Sequence, residues 1–507
     1  MLRYTVPFLP ILAASDLQNA NAAEPMTALG IYIHAFFLIL VLGLAPLVLL
    51  LEFLGIRKKD SDYMRGAKII SQLWAVSFAF GAVTGTFVEF GLYLLWPGTI
   101  LAISSFWFIP FIFDLFSFMI EVAFLVAYLH FWGRSINQWL HWGLGWGIMI
   151  GSMFSGVAIL AANSWLQTPW GTGNLVHQIL PWVPTLGPNE VNSTAFSTIS
   201  ETAANTGVLN LANTGAANSL GFLLFNPLIV LLSPNSIVTT VHTILGAIIV
   251  ACFETAAVFS YNYLRGGKVS QKPFYLKIMK SAYGFGGVAM FAQAFAGDQM
   301  ARIVYAFQRL QFISFEGISP KGGIDPPIGL LLYGNPFHYF RGFDYYNSLA
   351  SNSSQPSVVL QSVSFAQQSE PLLHFLYYTM VISGSILLIL GISYFGLYVK
   401  RIDSLVRFVT RLPTERFLIY TSFLAPILAL AAGGSGWAIR EIGRHPWTVY
   451  GLIQYPQVVT SVSITAQFSV LIMAIEVVLL VGGLLALYFI PTRALEKGEE
   501  ELVVIRG

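Results

Sequence analysis

The segment Gly436-Trp437-Ala438-Ile439-Arg440-Glu441-Ile442-Gly443-Arg444-His445-Pro446-Trp447 puts four ionisable side chains within six positions. It lies between two apolar runs, roughly 417–432 and 464–490, in a chain that is only 10% charged. An ionisable group at membrane depth costs about 2.5–3.5 kcal/mol on insertion scales, so it marks a functional site by default. The plain alternative is a solvated turn that keeps its charges in water.

Three more side chains suit iron. His34, His242 and Met380 each fall near the outer end of an apolar run. Neutral imidazole and thioether bind haem iron, and a His/Met pair raises the reduction potential. Taken singly, a membrane His is as well explained by a packed hydrogen bond, and a Met by core filling. Carboxylates also recur at depth: Glu89, Asp114, Glu121, Glu254 and Glu476. Asp114 and Glu121 are seven residues apart, which puts them on one helix face about 10 Å apart along the axis. Intramembrane acids of this kind can relay protons. Glu254, near a cytoplasmic helix end, can instead snorkel to the interface.

Elements of one kind must position these groups. The 507 residues are 56% hydrophobic, with a mean hydropathy of +0.69. Apolar runs of about twenty residues recur, each long enough to span about 30 Å of hydrocarbon. They are continuous rather than alternating, so the fold expected is all-α, a polytopic helical bundle and not a barrel. The expected spans are roughly 28–54, 70–95, 107–131, 143–163, 238–263, 282–297, 371–399, 416–433 and 464–490. Lys and Arg cluster in alternate loops, as at Arg57, Lys58 and Lys59, at Arg265, Lys268 and Lys272, and at Lys400 and Arg401. By the positive-inside rule those loops are cytoplasmic. The N-terminus is then outside, the C-terminus inside, and the 436–447 segment on the outer face. The whole chain, 1–507, reads as one integral membrane domain with two long outer segments, 164–237 and 298–370. Of these, 298–370 looks the more ordered. Residues 1–25 end in Asn21-Ala22-Ala23-Glu24, faintly like a signal-peptide cleavage site. Pro7 and Pro10 favour an uncleaved amphipathic or irregular segment on the membrane. A net charge of +2 gives no reason to expect a nucleic-acid partner. The single Cys252 excludes a disulfide framework and a thiolate metal site. There is no Walker A, HExxH or CxxC motif.

The residues quoted match a family pattern. Gly436-Trp437 through Trp447 resembles the GWxxxExGRQPW element of subunit I of cytochrome bd-type quinol oxidases, with His445 where Gln is usual. Gly85-Thr86-Phe87-Val88-Glu89-Phe90, Asn163 to Pro169, Val241-His242-Thr243 and Gly297-Asp298 extend the likeness over nearly the full length. The resemblance implies that His242 and Met380 are axial ligands of a low-spin haem b. It implies that His34 and Glu441 serve two high-spin haems, either haem b and haem d or two haems b. Trp437 would aid electron transfer, and Arg444 would pair with a propionate or an acidic neighbour. Glu89, Asp114, Glu121 and His141 would line the proton route. The loop from Gly297 would bind quinol, with Glu316 as base and Asp298, Gln308 and Gln311 beside it. The implied partners are quinol, O2, the lipid bilayer and a second membrane subunit, either subunit II-like or a paralogue of this chain. The implied location is a prokaryotic cytoplasmic membrane.

The departures carry information. The family's quinol-loop pattern is close to QPxKLAAxEG. Here Gln311 stands at the Lys position and Arg309 at the Pro position, while Glu316 is kept. The Arg usual two residues before the Met ligand is Tyr378, which removes a positive charge and lowers the haem potential unless something compensates. Such changes suggest a divergent member, for example an archaeal one. Two other classes remain in view: a haem-poor paralogous partner subunit, and a secondary transporter with acids in its spans.

Overall fold

The computed structural model describes residues 14–134, 136–191, 226–265, 271–460 and 462–497. Residues 1–13 of the expected N-terminal segment, and 192–225 of the first outer segment, lie outside the described residues.

The chain is mostly helical. The long helices are α1 (Ala14–Lys58), α2 (Ser61–Leu95), α3 (Pro97–Phe131) and α4 (Gln138–Gln167). After the short α5 (Leu175–Ile179) come α6 (Pro234–Leu264) and α7 (Lys272–Phe307). The second outer segment holds α8 (Arg309–Glu316), α9 (Pro326–Tyr333) and α10 (Phe343–Ser348). Then follow α11 (Pro356–Tyr394), α12 (Lys400–Thr410), α13 (Thr414–Thr421), α14 (Ala425–Ile442) and α15 (Ala466–Lys497).

Among the described residues, seven helices are long and apolar enough to cross a membrane: α1, α2, α3, α4, α6, α11 and α15. The pair α13 and α14, bent by 48°, makes an eighth if it counts as one span. The expected 282–297 span lies inside α7. This stretch is rich in glycine and also carries Tyr283 and Gln293, with Lys280 and Asp298 at its two ends, which lowers its hydropathy below that of the other spans. Residues 14–25 do not form a separate surface segment. They continue α1, with Ala20, Ala23 and Met26 buried and the Asn19 amide donating to the Thr460 carbonyl at 2.8 Å.

Local chemistry sets the helix ends. Asp60 and Asn137 cap α2 and α4 by accepting from the backbone N–H two residues on. Gly317 ends α8 at φ 70°, a left-handed position where a side chain would be strained. At one end of the bundle, Lys277 bridges Asp60 and Asp62 and Lys280 meets Glu415. These are the ends that carry the basic loops. At the other end, the described parts of 164–237 and 298–370, with the loop after α14, fold into a cap with its own apolar core, including Trp165, Trp182, Phe312, Phe340, Phe343 and Trp447. Three two-stranded antiparallel hairpins stiffen it. The 298–370 segment belongs largely to this cap, although α7 runs on to Phe307 and α11 already begins at Pro356.

The second core lies in the middle of the bundle, where α1, α2, α6 and α7 meet. Glycine lets those helices approach closely. A Cβ on Gly43 would stand 2.0 Å from the Ala247 carbonyl oxygen of α6. Gly43→Val is therefore expected to cost at least the roughly 1–3 kcal/mol of overpacking. A thermal melt of the detergent-solubilised protein would read this as a clearly lowered midpoint, and an unchanged midpoint would contradict the contact.

Candidate functional site

The C-terminal end of α14 gathers the site. Glu441 receives a hydrogen bond from Asn163 Nδ2 at 3.3 Å and an ion pair from Arg444 at 2.7 Å. Arg440, one residue earlier, points elsewhere. Its Nε donates to Asn163 Oδ1 at 2.8 Å, one terminal nitrogen to Thr239 Oγ1 at 2.8 Å, and the other to Ser164 Oγ at 3.1 Å. A hydrogen bond to a charged group contributes about 1.5–3 kcal/mol, so this residue is a principal tie between α4, α6 and α14. Composition alone could not show that. Arg440 looked like one charge in a charged turn.

Three of the four candidate iron ligands, all but Glu441, face a glycine. A Cβ on Gly85 would lie 2.8 Å from the His34 ring, one on Gly436 would lie 3.0 Å from Met380 Sδ, and one on Gly297 would lie 3.7 Å from His242 Cε1. The His34 Nδ1 sits 3.1 Å from the Gly81 carbonyl, which orients the ring and leaves Nε2 available. His242 Nε2 lies 3.3 Å from Gln293 Nε2, and its Nδ1 is buried without a partner. Arg444 likewise keeps Nε and one terminal nitrogen buried and unpartnered. Trp437 is beside Gly436 and one turn before Glu441 on α14. His445 is now located: its Nε2 meets Glu24 at 2.6 Å, and its ring stacks on Phe365 with centroids 5.6 Å apart.

The outer-loop helix α8 is locked to this cluster. Gln311 Nε2 donates to the Ile439 carbonyl at 2.8 Å, and Gln308 Nε2 donates to Gln167 Oε1 at 2.7 Å. Gln167 Nε2 in turn donates to the Arg440 carbonyl at 3.0 Å. The Gln311 side chain therefore faces inward, where a Lys would have to bury its charge. Asp298 pairs with Arg302 at 2.9 Å. Glu316 is buried, and neither carboxyl oxygen makes a hydrogen bond of normal geometry. Burial pushes its carboxyl up to about 7; the nearby Tyr377 hydroxyl pulls it down and the Asp325 charge pushes it further up.

A second group of acids runs along α3. Asp114, Glu121 and Tyr128 follow at seven-residue intervals on one face. Asp114 accepts from Ser155 and Glu121 from Ser152, both on α4. The Tyr128 hydroxyl donates to Glu52 Oε2 at 2.7 Å, and His141 Nδ1 lies 2.6 Å from Glu52 Oε1. Glu89 lies within electrostatic reach of Asp114. Glu52 is fully buried, yet sequence reasoning passed over it. It sits six residues before the basic end of α1, where a carboxylate reads as an interfacial charge. Only the packing of α3 and α4 reveals its partners. Glu254 and Glu476 stay apart from both groups: neither has a hydrogen-bonded side-chain partner among the described residues, and Glu476 packs against Gly30.

Residues 23–498 match the family model described as cytochrome bd terminal oxidase subunit I. The chain is 25% identical over 496 residues to the cytochrome bd ubiquinol oxidase subunit 1 of Bacillus subtilis, covering 92% of this chain and 91% of the relative. Its fold is similar to a chain of the bd oxidase structure from Geobacillus thermodenitrificans. There the TM-score is 0.70 at 18% identity, with 94% of this chain and 99% of that chain covered.

Proposed function

The chain belongs to the cytochrome bd terminal oxidase subunit I family, and from that premise we propose that it oxidises a quinol near the outer face and supports reduction of O2 to water. The observation that carries this reading is the bonding of α8, which bears Glu316, directly to α14, which bears Glu441. Electron donor and electron acceptor sites are thereby held on one rigid unit.

The family binds haem, and the residues present fit it. The donor set is imidazole, thioether and carboxylate, each of the first two beside a glycine that leaves room. The unpartnered His242 Nδ1 and the two unpartnered Arg444 nitrogens are buried donors or acceptors in need of a ligand. His242 and Met380 would hold the low-spin haem b, and His34 and Glu441 the two high-spin haems, as b and d or as two b. When bound, these groups supply one-electron transfer and the iron at which oxygen is reduced. Trp437 stands beside the ligands as a neighbour of that electron path, and Arg444 would take a propionate, for which its planar fork is suited.

The protein's own part is proton handling. Glu316 accepts a proton from the quinol hydroxyl, while Asp298, Gln308 and Gln311 shape the pocket beside it. Protons for the oxygen site come from the other side. Glu52 and Tyr128 extend the family's route, so that protons pass from Glu52, Tyr128 and His141 to Glu121, Asp114 and Glu89. Each carboxylate but Glu89 on this route is bonded to a hydroxyl that can hand a proton on. Proton release outside and uptake inside separate charge without a pump. This needs nine spans, with α7 included, the N-terminus outside and the C-terminus in the cytoplasm of a prokaryotic cell. A second membrane subunit covers part of the apolar surface of this single membrane domain. The retained ligand set favours the catalytic subunit over a haem-poor paralogue, because a structural subunit has no physical need for Met380 and Glu441 in these places.

Purified protein is expected to show reduced-minus-oxidised haem bands and quinol-dependent O2 uptake; a well-folded preparation without haem would end this reading. His242→Ala is expected to remove the low-spin signal alone, and equal loss of every band would point to misfolding. Glu316 is a base only when ionised, so uptake should rise as pH passes through about 7 and then level off. Glu316→Gln should lower uptake about 100-fold, in the range of a lost general base, and flatten that profile. Glu52→Gln should slow O2 uptake while quinol still reduces the low-spin haem; unchanged uptake would remove Glu52 from the route.

A further inference from the structure

Arg440 stands in the Gly436–Trp447 element at a position to which the family pattern gives no role. We propose that Arg440 supplies the fixed positive charge for the low-spin haem that Tyr378 withholds, and so keeps that haem more easily reduced. The inference rests on the proposed assignment of His242 and Met380 to that haem.

Three contacts fix where the charge sits. Gly436 faces Met380 Sδ, and Arg440 follows it by four residues, on the same face of α14. A terminal nitrogen of Arg440 is bonded to Thr239, which precedes His242 by three residues on α6 and shares its face. The guanidinium is thus bonded one helical turn from His242 on α6, and its own residue lies one turn from Gly436, which faces Met380, on α14. Asn163 and Ser164 of α4 hold its other two nitrogens, so the charge cannot swing away.

The charge also has no direct ion-pair partner among the described residues. All three acceptors are neutral side chains. The neighbouring carboxylate, Glu441, is within electrostatic reach but forms its ion pair with Arg444. Reduction adds an electron, and a nearby fixed cation stabilises the reduced form, more strongly where water is excluded. Tyr378, two residues before Met380, brings no such charge. The cation stands on α14 instead of α11.

The test separates charge from packing. In spectroelectrochemical titrations of the low-spin haem band, Arg440→Met is expected to make reduction at least tenfold less favourable, a downward shift of about 59 mV for a one-electron couple. Arg440→Lys, which keeps the charge, is expected to stay within about threefold of the unaltered protein. Adding Tyr378→Arg to Arg440→Met should recover most of the shift. Equal shifts in the Met and Lys variants, or no shift in the Met variant, would overturn the proposal. Should Arg440→Met fail to accumulate, Arg440→Gln, which can still donate to Asn163, decides by the same measurement. Absence of any low-spin band in the unaltered protein would overturn the ligand assignment itself, a failure distinct from an unmoved potential.

Discussion

The Arg440 guanidinium, bonded at once to Asn163, Ser164 and Thr239, is the interaction around which the outer half of the protein is arranged. A guanidinium is planar and offers donors in fixed directions, so three acceptors on two other helices fix the rotation of those helices relative to α14. The backbone carbonyl of the same residue takes Gln167, Gln167 takes Gln308, and Ile439 takes Gln311. Arg440 therefore joins α4, α6 and α14 to one another and, through Gln167, to α8. In a bilayer each of these polar groups must find a partner inside the protein, because neither lipid nor packed apolar side chains can provide one.

The same rule organises the inner half with different chemistry. Glu52, Tyr128 and His141 satisfy one another where three helices meet, and two serines of α4 satisfy the acids of α3. The result is a polar strip inside an otherwise apolar bundle. Such a strip is costly if any member is left unpaired. That the strip recurs at seven-residue intervals on α3 reflects helix geometry, since two turns bring side chains back to one face. One cluster is pinned by a cation and the other strip by carboxylates.

Substitutions within the family pattern become intelligible as exchanges of partner. Gln311 in place of Lys satisfies a backbone carbonyl of α14 without burying a charge. His445 in place of Gln reaches Glu24 and so fastens the first helix to the loop after α14. His445 Nδ1 also lies 3.0 Å from the Glu441 backbone carbonyl, so this exchange ties the loop back to α14 itself.

The sequence by itself determined that this is a helical membrane protein, where seven of its spans lie, and to which family it belongs. Burial in lipid demands long apolar runs, and those are visible residue by residue. Candidate ligands such as His34, His242, Met380 and Glu441 were legible because a polar group in an apolar run is rare and because their neighbours follow a family pattern. Helix α7 was less so: its glycines, with Tyr283 and Gln293, blur the apolar signal. Which charges act together was decided only by the tertiary structure. Arg440 gains its meaning from Asn163, Ser164 and Thr239, up to 277 residues away in the chain, and Glu52 from Tyr128 and His141. Pairing of that kind depends on helix rotation and packing depth, and neither is written in the local order of residues.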